Sequence, residues 1–299
     1  MSVGIIGSGN LGANIAFFVA EKNIAPVRMY DVKEGLSIGK ALDMMEAAPV
    51  RDYQFPVSGT DDMAELLESD VLILAAGATR EPGMKRADLY EGNREIVAEI
   101  AAKLKGFTGV FVVATEPVDM LVKVAAQTSG LPWQRVLGLG ALLDSQRLRY
   151  VISRDLQVGP ANVTATVIGR HSDEMIPLPR YTTVSGVPVT ALIDEKRLAE
   201  LHAETRQAGD TIVDLFKRAS SYYGPAAAAT DLAEAVIRDT RRILPISFVL
   251  SGQYGIRDAA LSLPAVIGRG GICQVLEPKL SEAEFSRLKA SADVLAAAE

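Results

Sequence analysis

The stretch that decides the fold lies near the amino terminus and reads VGIIGSGNLG over residues 3–12. Its four apolar residues predict a buried β-strand, and a helical pattern follows at residues 11–21. Between them, Gly7-Ser8-Gly9-Asn10-Leu11-Gly12 forms a G-x-G-x-x-G turn. Gly7 permits the tight turn, Gly9 lets the backbone approach a pyrophosphate, and Gly12 lets the helix pack on the sheet. The turn therefore predicts a dinucleotide site, with a glycine-rich turn in some other α/β protein as the alternative.

Asp31 indicates which dinucleotide this turn would bind. It follows the second predicted strand, residues 27–30. A carboxylate there would accept hydrogen bonds from the ribose hydroxyls, and it would repel a 2′-phosphate. We therefore predict NAD as the cofactor in preference to NADP. Free N–H groups at the start of the helix would bind the phosphates.

The pattern of the first half predicts a doubly wound parallel sheet. Strands are predicted at residues 3–6, 27–30, 71–75 and 110–114, and helical spacing separates them, for example at residues 11–21 and 89–104. Alternation of strand and helix implies right-handed crossovers, which is typical of a Rossmann-type α/β fold. This predicts an NAD-binding Rossmann domain over residues 1–140.

The second half changes character and predicts an α+β substrate domain over residues 141–299. Short strands at residues 163–168, 187–189 and 272–276 indicate a mixed or antiparallel sheet. Long helical patterns separate them at residues 195–218, 226–239 and 281–298.

Composition excludes several other classes of protein. The 299 residues are 48% hydrophobic and 23% charged, which is typical of a globular protein, and the net charge is −6. A negative chain disfavours nucleic acid as a partner, although local arginines can still bind a small anion. No apolar run is long enough for a membrane helix and no signal-peptide pattern is present, so we expect a cytoplasmic protein. The single cysteine, Cys273, excludes an intrachain disulfide, and we expect it to be buried and inert.

The chain has two histidines, His171 and His202. His202 lies in a polar helical pattern and is expected to be a solvated surface residue. His171 ends an apolar strand beside acidic residues. On chemistry alone it is either a core histidine with satisfied hydrogen bonds or a general base, with neither favoured.

Several sequence motifs indicate the role of His171 more clearly than its chemistry does. The segment around His171, GRHSDEMIPL at residues 169–178, resembles the catalytic histidine segment of the lactate/malate dehydrogenase family. Residues 138–152 resemble the family's L-D-x-x-R-x-R helix, and residues 77–93 its arginine-bearing loop. Residues 220–239 and 262–271 match as well, in the family's order. The resemblance covers essentially the whole chain and is greatest to the lactate-dehydrogenase-like malate dehydrogenases.

The resemblance implies a role for each matching residue in the interconversion of malate and oxaloacetate with NAD. His171 would be the general base, and Asp144 would orient its imidazole. Arg147 would bind the C1 carboxylate and Arg86 would polarise the C2 oxygen. Arg80 would pair with the second carboxylate of the dicarboxylate, where lactate enzymes typically carry glutamine. Without the motif, Arg80 and Arg86 would be interpreted as solvated loop cations.

The resemblance also implies cofactor contacts at Asn93 and in the segment that contains Ala114 and Glu116. No metal and no membrane partner are expected, and the resemblance implies a homodimer or homotetramer.

Glu116 is the main departure from the family pattern. The family has V-x-N-P-V-D where residues 114–119 read ATEPVD, so Glu116 replaces an asparagine that contacts the nicotinamide end and the substrate. An ionised carboxylate there would oppose a dicarboxylate. Three outcomes are open: Glu116 is protonated, it turns away, or the substrate differs. Lesser departures are Ser172, where the family has glycine, and Ala141, near a small hydroxyl residue of the family.

Two other functions remain open on this evidence. One is a dehydrogenase of another 2-hydroxy acid that Glu116 selects. The other is a catalytically impaired NAD-binding protein, against which the retained set of Arg86, Asp144, Arg147 and His171 speaks.

Overall fold

The strand that precedes the glycine-rich turn lies inside the main sheet of a computed structural model of the chain. The structure describes residues 1–81, 83–217 and 220–296, without the side chains of Arg86 and Ala87. The parallel strands are β1 (Val3–Ile6), β2 (Val27–Tyr30), β3 (Val57–Thr60), β4 (Val71–Leu74), β5 (Val110–Val113) and β6 (Val136–Gly138). β1 pairs with β2 on one side and with β4 on the other, which is why all four of its residues are apolar and buried.

Helices connect these strands as the alternating pattern predicts. They are α1 (Asn10–Glu21), α2 (Leu36–Arg51), α3 (Tyr90–Ala102), α4 (Val118–Ser129) and α5 (Ala141–Asp155). The order along the sheet reverses direction at β1 and β4, which is the point where open α/β sheets bind ligands. The carboxyl ends of both strands therefore face the place where a site is expected.

The second half begins with short strands. They are β7 (Val163–Thr164), β8 (Val167–Ile168), β9 (Ile176–Pro177), β10 (Thr183–Val184) and β11 (Val187–Pro188). The single strand predicted at residues 163–168 is therefore two short strands in different sheets. β8 pairs with β9 antiparallel, and the chain between them carries His171.

Long antiparallel strands then complete the main sheet. β12 (Arg242–Ser251), β13 (Arg257–Gly268) and β14 (Gly271–Val275) extend it in the order β14-β13-β12-β6-β5-β4-β1-β2-β3. β12 joins the parallel part where Ser247 lies opposite Gly138. The predicted fold class, a Rossmann-type sheet followed by an α+β part with mixed pairing, is confirmed. The boundary predicted at residue 140 falls just before α5, but the sheet itself continues across it.

The remaining helices are α6 (Glu195–Phe216), α7 (Tyr223–Ile237) and α8 (Glu282–Ala296). α7 packs on α1, and one hydrophobic cluster joins Ile5 and Ile15 to Ala229 and Phe248. Arg218, at the predicted end of α6, and residues 297–298, at the predicted end of α8, lie outside the described residues.

The expectation for Cys273 is wrong, because its thiol is exposed on β14. The strand lies at the edge of the sheet, and its neighbouring residues Cys273 and Gln274 are both exposed. Within the described ranges, no helix is both long enough and apolar enough to cross a membrane. The same residues contain no group of three or more His, Cys, Asp and Glu side chains that could hold a metal.

Candidate functional site

The glycine-rich turn is packed on one side and open on the other. A Cβ at Gly12 would lie 1.8 Å from the carbonyl oxygen of Gly7, so α1 lies against the turn. Gly7 has a φ of +96°, a conformation that favours glycine. A Cβ at Gly9 would meet nothing within 4 Å. The open face at Gly9 and the start of α1 therefore fit a bound pyrophosphate.

Asp31 supports the turn directly. Its Oδ2 accepts a hydrogen bond from the backbone N–H of Ser8 at 2.6 Å, and its Oδ1 accepts one from the backbone N–H of Lys33 at 3.0 Å. The hydrogen bond from Ser8 therefore joins the end of β2 to the glycine-rich turn. Asp31 remains partly exposed.

A cleft of about 1170 Å³, including its open mouth, runs from this turn to His171. Predicted cofactor and substrate residues that line it are Gly9, Asn10, Leu11, Arg80, Ala114, Glu116, Arg147 and His171. One cleft thus brings the turn, two arginines and the histidine together. These residues come from both halves of the chain, and they fit a dinucleotide beside a small anion.

Asn93 lies behind this cleft, on α3. It is fully buried, and its Nδ2 donates to the carbonyl of Glu116 at 2.7 Å, while its Oδ1 accepts from the N–H of Ala78 at 2.8 Å. The side chain fixes the two backbone segments that border the cleft. Its role as a cofactor contact stays a prediction.

His171 is held by Asp144 in a buried pair. The Nδ1 of His171 lies 2.7 Å from Oδ2 of Asp144, which is in the first turn of α5. The two residues are only 6% and 3% exposed. A buried carboxylate at Nδ1 sets the tautomer and stabilises an imidazolium. The arrangement can take up and release a proton at Nε2.

Glu116 occupies the other side of the imidazole. Its Oε1 lies 3.0 Å from Nε2 of His171, and its side chain is 27% exposed. The outcome in which Glu116 turns away is therefore wrong. Burial lowers the pKa of His171, but the charges of Asp144 and Glu116 and their hydrogen bonds outweigh burial and raise the pKa to about 9.

Asp119 is a site residue that sequence reasoning missed. Its Oδ2 accepts a hydrogen bond from the backbone N–H of His171 at 2.7 Å, and its Oδ1 accepts one from Oγ of Ser247 at 2.6 Å. Burial raises the pKa of Asp119 to about 6, although the hydrogen bonds from Ser247 and His171 oppose that rise. The available signal was its place in the ATEPVD segment, residues 114–119, at the carboxyl end of the strand predicted at residues 110–114.

Arg80 is also buried, at 7% exposed, so the alternative of a solvated loop cation is wrong for it. Its Nη1 lies 2.7 Å from Oδ1 of Asp210 on α6, and its backbone N–H donates to Oγ of Ser220 at 3.1 Å. Nothing in the polar pattern of α6 distinguished Asp210. Arg80 therefore enters the cleft with one carboxylate already bound.

Arg147 lies one turn after Asp144 on α5. Its Nη1 is 3.7 Å from Oδ1 of Asp144, and its Nη2 donates to Oγ of Ser221 at 3.3 Å. Arg86 begins a short 3-10 turn, Arg86–Leu89, and its side chain lies outside the part of the chain that the structure describes.

The remaining predictions concern residues away from the reacting centre. His202 is half-buried and not freely solvated, and burial together with Arg206 and Arg287 lowers its pKa to about 4. Ser172 accepts a hydrogen bond from the N–H of Glu174 at 3.2 Å, within its own turn. Ala141 is buried, and its N–H donates to Oγ of Ser262 at 2.9 Å.

Family models match both halves of the chain. Residues 1–138 match the model described as lactate/malate dehydrogenase, NAD binding domain. Residues 141–298 match lactate/malate dehydrogenase, alpha/beta C-terminal domain.

Curated relatives agree with these models over nearly the full length. The chain is 42% identical to a malate dehydrogenase of Desulforudis audaxviator, over 94% of this chain and 92% of that protein. It is also 42% identical to a malate dehydrogenase of Salinibacter ruber, over 98% and 94%.

Solved structures give the same result. The structure of Cryptosporidium parvum malate dehydrogenase superposes with a TM-score of 0.96 at 34% identity, over 99% of this chain and 97% of that one. A Cryptosporidium parvum lactate dehydrogenase, solved with lactic acid and β-nicotinamide adenine dinucleotide, gives 0.94 at 33% identity, over 99% and 96%. Both halves, their order and their three-dimensional arrangement therefore agree, and the chain belongs to the lactate/malate dehydrogenase family of NAD-dependent oxidoreductases.

Proposed function

We propose that this chain interconverts malate and oxaloacetate with NAD. The observation that carries the proposal is one cleft that His171, Arg80, Arg147 and the glycine-rich turn all line. Asp144 pairs with His171 there. Two arginines beside a histidine suit a substrate with two carboxylates and a hydroxyl group between them. The names of the relatives support the same substrate pair.

The glycine-rich turn, the start of α1 and Asp31 would hold NAD, which supplies the hydride acceptor when it is bound. His171 takes the hydroxyl proton of malate at Nε2 during oxidation and returns it during reduction. Asp144 stabilises the imidazolium that oxidation forms. Arg147 binds the C1 carboxylate through its planar fork, and Arg80 binds the second carboxylate through the N–H groups that Asp210 does not use.

A second candidate is a dehydrogenase for a 2-hydroxy acid with a single carboxylate. Asp210 pairs with Arg80, and Glu116 faces His171. Both carboxylates offset positive charge that a dicarboxylate would otherwise use, so they favour a substrate with less negative charge.

Steady-state kinetics would decide between these candidates. With NADH, we expect kcat/KM for oxaloacetate to exceed that for pyruvate and for other 2-oxo acids of one carboxylate. Preference for a monocarboxylate would support the second candidate. Absence of turnover on every 2-oxo acid, with NADH still bound, would indicate a catalytically impaired binding protein.

His171→Asn tests the role of the histidine. We expect turnover to fall by about two to four orders of magnitude, the span that loss of a general base produces. NADH binding, followed by its fluorescence, should remain, because the glycine-rich turn that would bind the pyrophosphate is a separate segment from His171. Unchanged turnover in this variant would remove His171 from the mechanism.

The resemblance further supports a homodimer or homotetramer, which we include in the proposal. Analytical ultracentrifugation of the purified chain tests it, and a monomer at micromolar concentration would contradict it.

A further inference from the structure

Both nitrogens of the His171 imidazole face a carboxylate. Nδ1 lies 2.7 Å from Oδ2 of Asp144, and Nε2 lies 3.0 Å from Oε1 of Glu116. An ionised carboxylate only accepts hydrogen bonds, so each ring nitrogen must carry a proton to make these contacts. Asp144 accounts for the proton on Nδ1. The proton on Nε2 is the one that the chemistry uses, and Glu116 accepts the hydrogen bond that this N–H donates.

We propose that Glu116 is a positioning residue that keeps this proton on Nε2, so that the free enzyme rests in the acid form, ready to reduce a 2-oxo acid. The consequence for catalysis rests on the proposed function. The protonation itself belongs to the protein without substrate, and it can be measured there.

The surroundings of Glu116 favour its ionised form. Its Oε2 accepts a hydrogen bond from the backbone N–H of Val118 at 3.3 Å, at the start of α4. The amino terminus of a helix stabilises an anion. The side chain also remains 27% exposed, so water still solvates the carboxylate. Together these contacts fix a negative charge beside Nε2.

Among the residues that the structure describes, other charged groups near His171 have partners of their own. Asp119 accepts a hydrogen bond from the backbone N–H of His171, and Arg147 lies beside Asp144. Arg80 pairs with Asp210, and Arg170 lies 3.9 Å from Glu174. Burial lowers the pKa of His171, and the two carboxylates overcome it and raise that pKa to about 9.

Substrate binding must then exchange one acceptor for another. The C2 oxygen of the 2-oxo acid takes the place of Oε1 at Nε2. In the reduction, bound NADH would supply a hydride to C2 as the carbonyl π bond opens. The Nε2–H bond of His171 breaks, and its proton forms the O–H bond on the C2 oxygen. The imidazole is left neutral, and it takes a proton from solvent as Glu116 returns to Nε2. Each turnover thus consumes one hydride and one proton.

The direct test is an NMR titration of the histidines in the full chain without substrate. The chain has two histidines, so His202→Gln assigns both signals. We expect His171 in the wild type to stay protonated up to about pH 9. Glu116→Gln keeps the size of the side chain and removes its charge, and it should lower the midpoint by about one pH unit or more.

Glu174→Gln is the matched control, because this exposed carboxylate lies on the same turn as His171 and should leave the midpoint in place. Glu116→Asn serves as a second variant if Glu116→Gln does not fold. A wild-type midpoint near 6.5, or a midpoint that neither Glu116 variant changes, would overturn the proposal.

The kinetic test uses kcat/KM against pH in both directions, since this ratio reports groups of the free enzyme. Reduction needs protonated His171, so in the wild type kcat/KM for reduction should fall only as pH rises through about 9. Oxidation needs the neutral form and should rise over the same range. Both limbs should move to lower pH in Glu116→Gln.

If the pH profiles of kcat/KM stay unchanged in Glu116→Gln while the NMR midpoint of His171 falls, the catalytic part of the proposal is overturned. If the wild type turns over no 2-oxo acid, the proposed function fails. The NMR titration still decides where the proton lies.

Discussion

Arg80 is the residue whose partner changes what the sequence motif implies. It lies in the loop after β4, where the resemblance places the residue that separates dicarboxylate from monocarboxylate enzymes. In the structure its guanidinium is buried against Asp210, 2.7 Å away. Dicarboxylate binding therefore depends on how far Asp210 offsets the charge of Arg80.

Arg80→Gln should weaken oxaloacetate far more than pyruvate, because only oxaloacetate presents a second carboxylate. Loss of a buried charged partner costs about 2–5 kcal/mol, so kcat/KM for oxaloacetate should fall by at least about 30-fold. Asp210→Asn is the companion variant. It removes the offsetting charge and should lower KM for oxaloacetate. Equal losses of kcat/KM on both substrates in Arg80→Gln would show that Arg80 does not bind the second carboxylate.

At the scale of elements, the turn between β1 and α1 contains two glycines with different surroundings. Gly12 faces the backbone of Gly7, whereas Gly9 faces open space at the cleft. The same substitution should therefore have different effects at the two positions.

Gly12→Ala should destabilise the fold, because its methyl group would lie 1.8 Å from the oxygen of Gly7 and α1 would have to move. Overpacking of this kind costs about 1–3 kcal/mol, which thermal unfolding would detect as a lower Tm. Gly9 has a φ of −64°, which alanine adopts easily. Gly9→Ala should keep the wild-type Tm and weaken NADH binding, because its methyl group would point into the cleft. A normal Tm for Gly12→Ala would contradict the packing role of Gly12.

The longest strands, β12 and β13, are elements that the sequence pattern did not predict. β12 reads RILPISFVLS, a nearly continuous apolar run in which alternation is hard to detect. It has neighbours on both sides in the sheet, β13 and β6, and its central residues are buried on both faces. A strand buried in this way loses the two-residue period that reveals strands with one face in water.

For the whole molecule, the continuous sheet joins the two halves. β6 and β12 are adjacent, and Trp133, just before β6, stacks on Phe248 of β12 with ring centroids 5.7 Å apart. The chain has one tryptophan, so its fluorescence reports this junction. We expect the two halves to unfold together.

Unfolding in urea should give coincident transitions by tryptophan fluorescence and by far-UV circular dichroism. Phe248→Ala should lower the free energy of unfolding by about 3–5 kcal/mol and should move both transitions together. The exposed Phe55 provides the control, since Phe55→Ala should have little effect. Separate transitions in the wild type would show that the halves unfold independently.

The sequence by itself determined the alternation of strands β1, β2, β4 and β5 with helices, the glycine-rich turn and the family. These features are local, since strand period, turn chemistry and motif spacing each depend on residues close together in the chain. His171 and Asp144 could be named in advance because each lies within a recognisable motif.

Only the tertiary structure decided which charges meet. Glu116 against Nε2 of His171, Asp210 against Arg80, and Asp119 against the backbone of His171 each join segments far apart in sequence. The exposure of Cys273 on β14 likewise depends on which elements pack against that strand. Composition and hydrophobic periodicity show which residue types are present and which elements they form. Electrostatic energy depends on distance and burial, and these are fixed only when separate elements pack together.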